Sequence, residues 1–174
     1  MRSAGLLLAS ILLAGALQAQ QVKWNFDKLA ARASDSVDIN LDGALLKLAT
    51  KFMSDDDKDE AKVKKMVAGL KGIYVKTFEF KKAGDYSPAD VESFRAPLHG
   101  EWQRIVGTHS NEEGETVEIY IKNEAKGIGG LVIIAMEPKQ LTLVNIVGAI
   151  DLDDLAELGG HFGIPEGVEV EKKK

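Results

Sequence analysis

Three apolar segments in the second half of the chain, separated by only a few turn residues, limit its possible folds most strongly. They cover about residues 115–123, 129–137 and 140–149, and the separators NEAKG and EPKQ have the length of hairpin turns. Parallel neighbours would need a crossover helix between them, and no helical pattern intervenes. The sequence therefore predicts an antiparallel meander with the uniformly apolar second segment at its centre.

The first of these segments alternates apolar with polar residues over TVEIYIK, residues 116–122. Because successive side chains of a strand point to opposite faces, this pattern predicts one buried face and one solvated face. The solvated face would carry Glu118, Tyr120 and Lys122.

The part of the chain before the meander carries mainly helical patterns. Helices are predicted at about residues 24–33, 42–53, 54–72 and 87–95. Asp42, Ser54 and Ser87 are the expected N-caps, and Pro88 suits the first helical position. The second helix is expected to bury Leu45, Leu48, Ala49 and Phe52, and the third Val63, Met66, Val67 and Leu70, before it ends at Gly72.

Further strands are predicted from alternation and from β-branched or aromatic residues. They lie at residues 36–41, 73–80 and 102–108, and the last of these could also be a helix-to-strand junction. The first reads as half-buried, with Val37, Ile39 and Leu41 on its buried side.

Helices that come early and strands that come late are typical of the α+β class. We therefore expect a two-layer sandwich, in which a mostly antiparallel sheet has helices packed on one face. A single domain would occupy residues 20–166, followed by a solvated charged tail at residues 167–174.

The N-terminus predicts export. Arg2 precedes an apolar stretch from Leu6 to Ala16, and cleavage is expected after Ala19. The apolar stretch is shorter than the roughly 20 residues of a membrane span, and the mature chain is expected to have none. The protein would thus be periplasmic or secreted.

Charge and cysteine content exclude several classes of function. The leader holds one Arg and no acid, so the mature 155 residues carry 21 basic and 27 acidic side chains, a net charge of −6. Nucleic acids and anionic membranes favour basic proteins, so neither is an expected partner. The absence of cysteine excludes thiol catalysis, iron–sulfur clusters and Cys-ligated zinc.

Asp151, Asp153 and Asp154 form the densest group of carboxylates and follow an apolar run. They could begin a metal site, but they also suit the first turn of a predicted helix, Leu152–Leu158, with Asp151 as its N-cap. Capping is the favoured interpretation, because a metal site would need carboxylates from elsewhere to converge.

Two other motifs match a binding site only in part. Asp55, Asp57 and Asp59 have the spacing of an EF-hand loop, but Glu60 and Met66 stand where that loop needs Gly and Glu. The GIGG stretch at residues 127–130 lies between strands, where a hairpin turn is favoured over a phosphate loop.

The histidines and serines form no recognisable catalytic pattern. His99, His109 and His161 are scattered, and Ser110 beside His109 is adjacency in a loop. We therefore assign no catalytic, cofactor-binding or metal-binding residue and no cofactor.

Four stretches resemble a bacterial family catalogued as domain of unknown function 4252. They are LAARASDSVDINLDGALLKLATKF, LKGIYVKTFEF, EWQRIVG and PKQLTLVNIVGAIDLDDLAELGGHFGIP, and the resemblance covers about residues 25–166. It implies an exported bacterial protein with no established activity, from a family often encoded near sigma-factor regulators. The lipoprotein cysteine of some relatives is missing here.

Three functions remain open from the sequence. The favoured one is a non-enzymatic binding or interaction domain of the cell envelope, whose partner would be an envelope protein or ligand. The second is a carboxylate-dependent, metal-binding hydrolase that uses the aspartates near residue 151. The third is a carrier that holds a small apolar ligand between sheet and helices.

Overall fold

The structure, a computed structural model, describes residues 21–125 and 127–151. Its helices are α1 (Asp27–Ala30), α2 (Gly43–Thr50), α3 (Lys58–Ala68) and α4 (Pro88–Arg95). Its strands are β1 (Asp35–Asp42), β2 (Leu70–Glu79), β3 (Trp102–Ser110), β4 (Glu115–Glu124), β5 (Gly127–Glu137) and β6 (Gln140–Ile150). The predicted leader, the predicted helix Leu152–Leu158 and the charged tail lie outside the described residues.

The six strands form one antiparallel sheet in the order β1-β2-β6-β5-β4-β3. The predicted meander is confirmed as β4, β5 and β6, with the apolar β5 in the middle. β2 pairs with β6 and so joins the first half of the chain to the second. The α+β class is confirmed as an open, mostly antiparallel sheet accompanied by a few helices, with β1 and β3 as its edges.

One face of the sheet, here called the covered face, carries most of the hydrophobic core. Leu29 of α1 and Val91 and Phe94 of α4 belong to the same buried cluster as the sheet residues. The sheet contributes Phe78, Tyr120, Val132, Ile134, Leu141 and Leu143. Burial of these side chains supplies the main driving force that holds α1 and α4 to the sheet.

The segment before α1 is also attached to the covered face. The backbone N–H of Val22 donates to Asn145 Oδ1 over 3.0 Å, and Asn145 Nδ2 donates to the Leu131 carbonyl over 3.3 Å. Trp24 Nε1 donates to the Phe94 carbonyl over 2.9 Å. The fully buried Asn145 therefore has partners for its amide, as a buried polar group requires.

The other face, here called the opposite face, is apolar as well. Ile119, Ile121 and Leu131 are buried there in a second, smaller cluster. In register with them across the sheet lie Ile146 and, beyond it on β2, Ile73.

A glycine lets the end of β6 approach the start of β2 at a register shift. Gly148 has φ 131°, and a Cβ there would come within 2.5 Å of the Gly69 carbonyl oxygen. Any side chain would thus be strained by both its backbone and its neighbour. The close approach allows the Ala149 N–H to donate to the same carbonyl over 3.0 Å.

Two of the predicted helix starts are confirmed. Asp42 caps α2 by accepting from the N–H groups of Ala44 and Leu45. Ser87 caps α4 in a capping box with Asp90, and Pro88 stands at the first helical position.

Other helix predictions were wrong in detail. α1 is a single turn rather than a helix over residues 24–33, because the segment before it is not helical and lies against the covered face. α3 is capped by Asp57 instead of Ser54 and ends at Gly69 instead of Gly72, which belongs to β2. The predicted third-helix stripe is not buried within α3, and Leu70 is buried only as the first residue of β2.

The predicted buried stripe of α2 was also wrong. Leu46 is the buried residue, whereas Leu45, Leu48 and Phe52 are exposed. α2 contacts α3 and the ends of β1 and β2 rather than the main core, so helical periodicity alone did not indicate which side is buried.

Candidate functional site

The first candidate is a cluster of charged side chains on the covered face, the Glu118 cluster, formed by Arg95, Arg104, Glu118 and Tyr120. Arg95 Nε and Nη2 donate to the two oxygens of Glu118 over 2.8 and 2.9 Å. Tyr120 Oη donates to Glu118 Oε2 over 3.0 Å, and Arg104 Nη1 lies 3.4 Å from Oε1. The cluster thereby connects α4 with β3 and β4.

The cluster is built to keep one carboxylate ionised. Burial by itself would raise the pKa of Glu118, but the hydrogen bonds from Arg95 and Tyr120 and the nearby guanidinium charges hold that pKa below its usual range. Burial and the Glu118 carboxylate both raise the pKa of the Tyr120 hydroxyl. A saturated carboxylate and an un-ionised phenol of this kind stabilise a fold but offer neither a general base nor a nucleophile.

The Glu118 cluster contradicts the predicted solvated face of the meander. Glu118, Tyr120 and Lys122 are all buried. Alternation along β4 correctly indicates that its two faces differ, but the polar residues face α4 and the neighbouring strands instead of water. The signal that could have found them is a pair of arginines, Arg95 and Arg104, in flanking elements.

The second candidate lies at the outer strand of the opposite face. Val37, Ile39 and Leu41, here called the β1 patch, are 48, 42 and 37 % exposed. The strand prediction for residues 36–41 is confirmed, but its predicted half-burial is wrong. β1 is an edge strand with one neighbour, so its apolar side chains have packing partners on one side only.

The polar residues of β1 are largely occupied by partners within the chain. Asp38 accepts from Lys76 Nζ of the neighbouring strand over 2.9 Å. The Asp42 side chain caps α2. These acids therefore serve local structure and leave the apolar side chains as the distinguishing feature of the strand.

The predicted aspartate group falls only partly within the described residues. Asp151 is exposed after the end of β6 and borders an open depression of about 510 Å³ beside Met66 and Ile150. Asp153 and Asp154 lie outside the described residues.

The acidic stretch at residues 55–60 forms a helix start. Asp57 caps α3 by accepting from the N–H groups of Asp59 and Glu60. Asp55 pairs with Lys64 over 2.6 Å. The carboxylates of Asp55 and Asp57 are thus engaged with α3.

The GIGG stretch is strand rather than turn. Gly127 has φ 122° and begins β5, and Gly129 and Gly130 lie inside that strand. The predicted hairpin turn over residues 127–130 was therefore placed too late, because the turn includes Ala125.

The two described histidines are exposed and far from a catalytic arrangement. His109 contacts Thr116 Oγ1 at 2.8 Å and Asn111 Oδ1 at 2.9 Å rather than Ser110. His99 Nδ1 lies 2.8 Å from the Ala96 carbonyl. His161 lies outside the described residues.

Within the described part of the chain, no group of three or more His, Asp or Glu side chains could hold a metal ion. No helix in residues 21–125 or 127–151 is long and apolar enough to cross a membrane.

Comparison with known proteins places the chain in a family. The model of the family described as Domain of unknown function (DUF4252) matches residues 31–158, and the chain belongs to it. Neither a curated protein nor a solved structure matches the chain.

Proposed function

We propose that this member of the DUF4252 family is an exported, non-enzymatic interaction domain whose binding surface is the β1 patch. The observation that carries the proposal is the row of three large apolar side chains on an edge strand, each more than a third exposed. Contiguous exposed apolar side chains on an otherwise charged chain mark an interaction surface more often than single ones do.

The energetics favour an occupant for this surface. Full burial of a Val, Leu or Ile side chain contributes about 1.5–3 kcal/mol, and the β1 patch is a little over half buried. A partner that covered it would add roughly 1 kcal/mol for each of the three side chains. Backbone hydrogen bonds along the open edge of β1 would also fix the orientation of the partner.

The charged chemistry supports binding over catalysis. The buried carboxylate of the Glu118 cluster accepts two hydrogen bonds from Arg95 and one from Tyr120, which leaves it little capacity for a substrate. Its role is to join α4 to the sheet.

The proposal includes a two-layer arrangement and an exported location. The layer over the covered face would consist of α1, α4 and the segment before α1. The β1 end of the opposite face would remain exposed as the binding surface. Export is supported by the signal-peptide pattern in residues 1–19.

Site-specific photo-crosslinking in the native host would test the binding surface. Ile39 and Ile105 are both 42 % exposed on the two edge strands, so a photoreactive residue at 105 is a matched control for one at 39. We expect a discrete protein adduct from position 39 and none from position 105. Equal labelling, or no adduct from position 39, would contradict the proposal.

N-terminal sequencing of the protein recovered from the envelope fraction would test export separately. We expect a chain that begins at Gln20. A retained Met1 would remove the exported part of the proposal and leave the interaction surface standing.

A further inference from the structure

We propose that the occupant of the β1 patch is a second copy of this chain, and that the two β1 strands pair antiparallel about a twofold axis at Ile39. This inference rests on the proposed function and deepens it by naming the partner. The paired strands would continue one six-stranded sheet into the other.

The edge geometry of β1 allows such pairing over its full length. All eight residues are exposed, and all eight pair with β2 without a register shift, so the strand is regular. It contains no proline and no lysine, two common devices that protect an edge. A long, regular, partly apolar edge is a template for another strand.

The other edge strand, β3, also has no proline and no lysine, but it is less regular. β3 has a register shift between Arg104 and Val106, which interrupts its pairing and bends the strand. This contrast selects β1 as the pairing strand.

Symmetry restricts the register. A twofold axis perpendicular to the sheet keeps each face continuous, so every residue must oppose one of the same parity. With the axis at Ile39, that residue opposes its own copy, and Val37 opposes Leu41 of the second copy. The β1 patches of both copies then form one apolar row on one face.

Charge selects this register among its neighbours. With the axis at Ile39, Asp38 opposes Asn40, whose amide can donate to the carboxylate. An axis moved by one residue would oppose Asp38 to its own copy or, in the other direction, Asp38 to Asp42. Like charges directly opposite each other destabilise a strand pair, so the axis at Ile39 is favoured.

The same complementarity favours a second copy over an unrelated protein. β1 carries Ser36, Asp38, Asn40 and Asp42 on one face and Asp35 with the β1 patch on the other. With the axis at Ile39, every aspartate opposes an uncharged residue of the second copy: Asp38 opposes Asn40, Asp42 opposes Ser36, and Asp35 opposes Gly43. A second copy of β1 is therefore sufficient to place an uncharged residue opposite each charged residue of the strand.

Introduced cysteines would test the register, because the chain contains none of its own. Under mild oxidation we expect Ile39→Cys to form a disulfide-linked dimer. Val37→Cys alone should form none, because its two copies would be about 13 Å apart, four residues along the strand. A mixture of Val37→Cys and Leu41→Cys should form the mixed dimer.

The mass of the purified protein in solution would test the association itself. We expect twice the chain mass by light scattering, a monomer for Ile39→Lys, and an unchanged dimer for the matched Ile105→Lys. Circular dichroism would establish that both variants are folded. A wild-type monomer at all concentrations would overturn the inference, as would equal cross-linking of Ile39→Cys and Val37→Cys.

The two proposals can fail separately. If photo-crosslinking at residue 39 gives an adduct with a different protein while the purified chain is monomeric, the interaction surface stands and the self-pairing falls. If no adduct of either kind forms at residue 39, both fall.

Discussion

The two edges of the sheet differ in how they are attached to the rest of the protein. β3 is tied to α4 through the Glu118 cluster, and its pairing with β4 is interrupted by a register shift. β1 is held mainly by its regular pairing with β2 and by contacts with α2. β3 also packs Trp102 and Val106 against the two buried clusters, whereas the apolar side chains of β1 remain exposed.

Charged and apolar residues therefore contribute to different properties at the two edges, namely the stability of the monomer and association. Near β3, the buried Glu118 is paired with the partly buried Arg95, so this ion pair contributes to the stability of the monomer. Apolar residues on β1 are exposed, so their burial can contribute to association instead. Composition alone would assign the opposite roles to these two sets.

The largest expected difference is in the free energy of unfolding, between a substitution on a central strand and one on the β1 edge. Ile134→Ala should lower the free energy of unfolding by about 3–4 kcal/mol, because the side chain is fully buried on β5 and its removal leaves a cavity. Ile39→Ala should cost the monomer less than about 1 kcal/mol. Urea denaturation of both variants at a protein concentration that keeps them monomeric would measure the difference.

Similar losses of unfolding free energy for the two isoleucine variants would contradict this difference between the strands. In that case β1 would be as much a part of the core as β5, and the β1 patch would have no claim to be a binding surface.

A second test compares Glu118 on β4, next to the β3 edge, with Asp38 on the β1 edge. Glu118→Gln should cost about 2–3 kcal/mol, because it removes the buried carboxylate that Arg95 pairs with and leaves that guanidinium only the exposed Glu92 as an ionic partner. Asp38→Asn removes an ion pair whose carboxylate is 66 % exposed and should cost less than about 1 kcal/mol. Denaturant midpoints of the two variants, measured side by side, would show this ranking, and the reverse order would contradict the integrated role of the β3 edge.

Local sequence patterns predicted most of the strands and the antiparallel meander. Hairpin-length separators left few ways to arrange β4, β5 and β6, and strong caps such as Ser87 and Asp42 located two helix starts. These features depend on neighbours in sequence, which explains why they could be predicted.

Features that depend on distant neighbours could not be predicted in the same way. The burial of Glu118 requires Arg95 of α4 to reach across to β4, and the exposure of Val37 requires β1 to lie at an edge. Alternation identifies two faces of a strand but not which face meets a helix. For the same reason, the candidate surface became visible only once the strand order was known.

The smallest expected effect is the loss of stability at low pH that follows protonation of Asp90 on the covered side. Asp90 begins α4, and a hydrogen bond from Arg32 is the main cause that lowers its pKa to about 2, with partial burial opposing and Ser87 assisting. A folded-state pKa below the unfolded value stabilises the protein above pH 4, and this contribution is lost as the pH falls towards 2. Because Arg32 is partly exposed, we expect about 1 kcal/mol after screening.

Replacement of Arg32 would isolate this contribution from that of Glu118, whose pKa is also lowered. Arg32→Gln keeps the capping box of α4 but removes the main cause of the Asp90 shift, so the decline in stability between pH 4 and 2 should become shallower. Denaturation curves across that range would measure it. An unchanged slope would show that the ion pair is too well solvated to matter, and that the covered side owes its acid sensitivity to the Glu118 cluster alone.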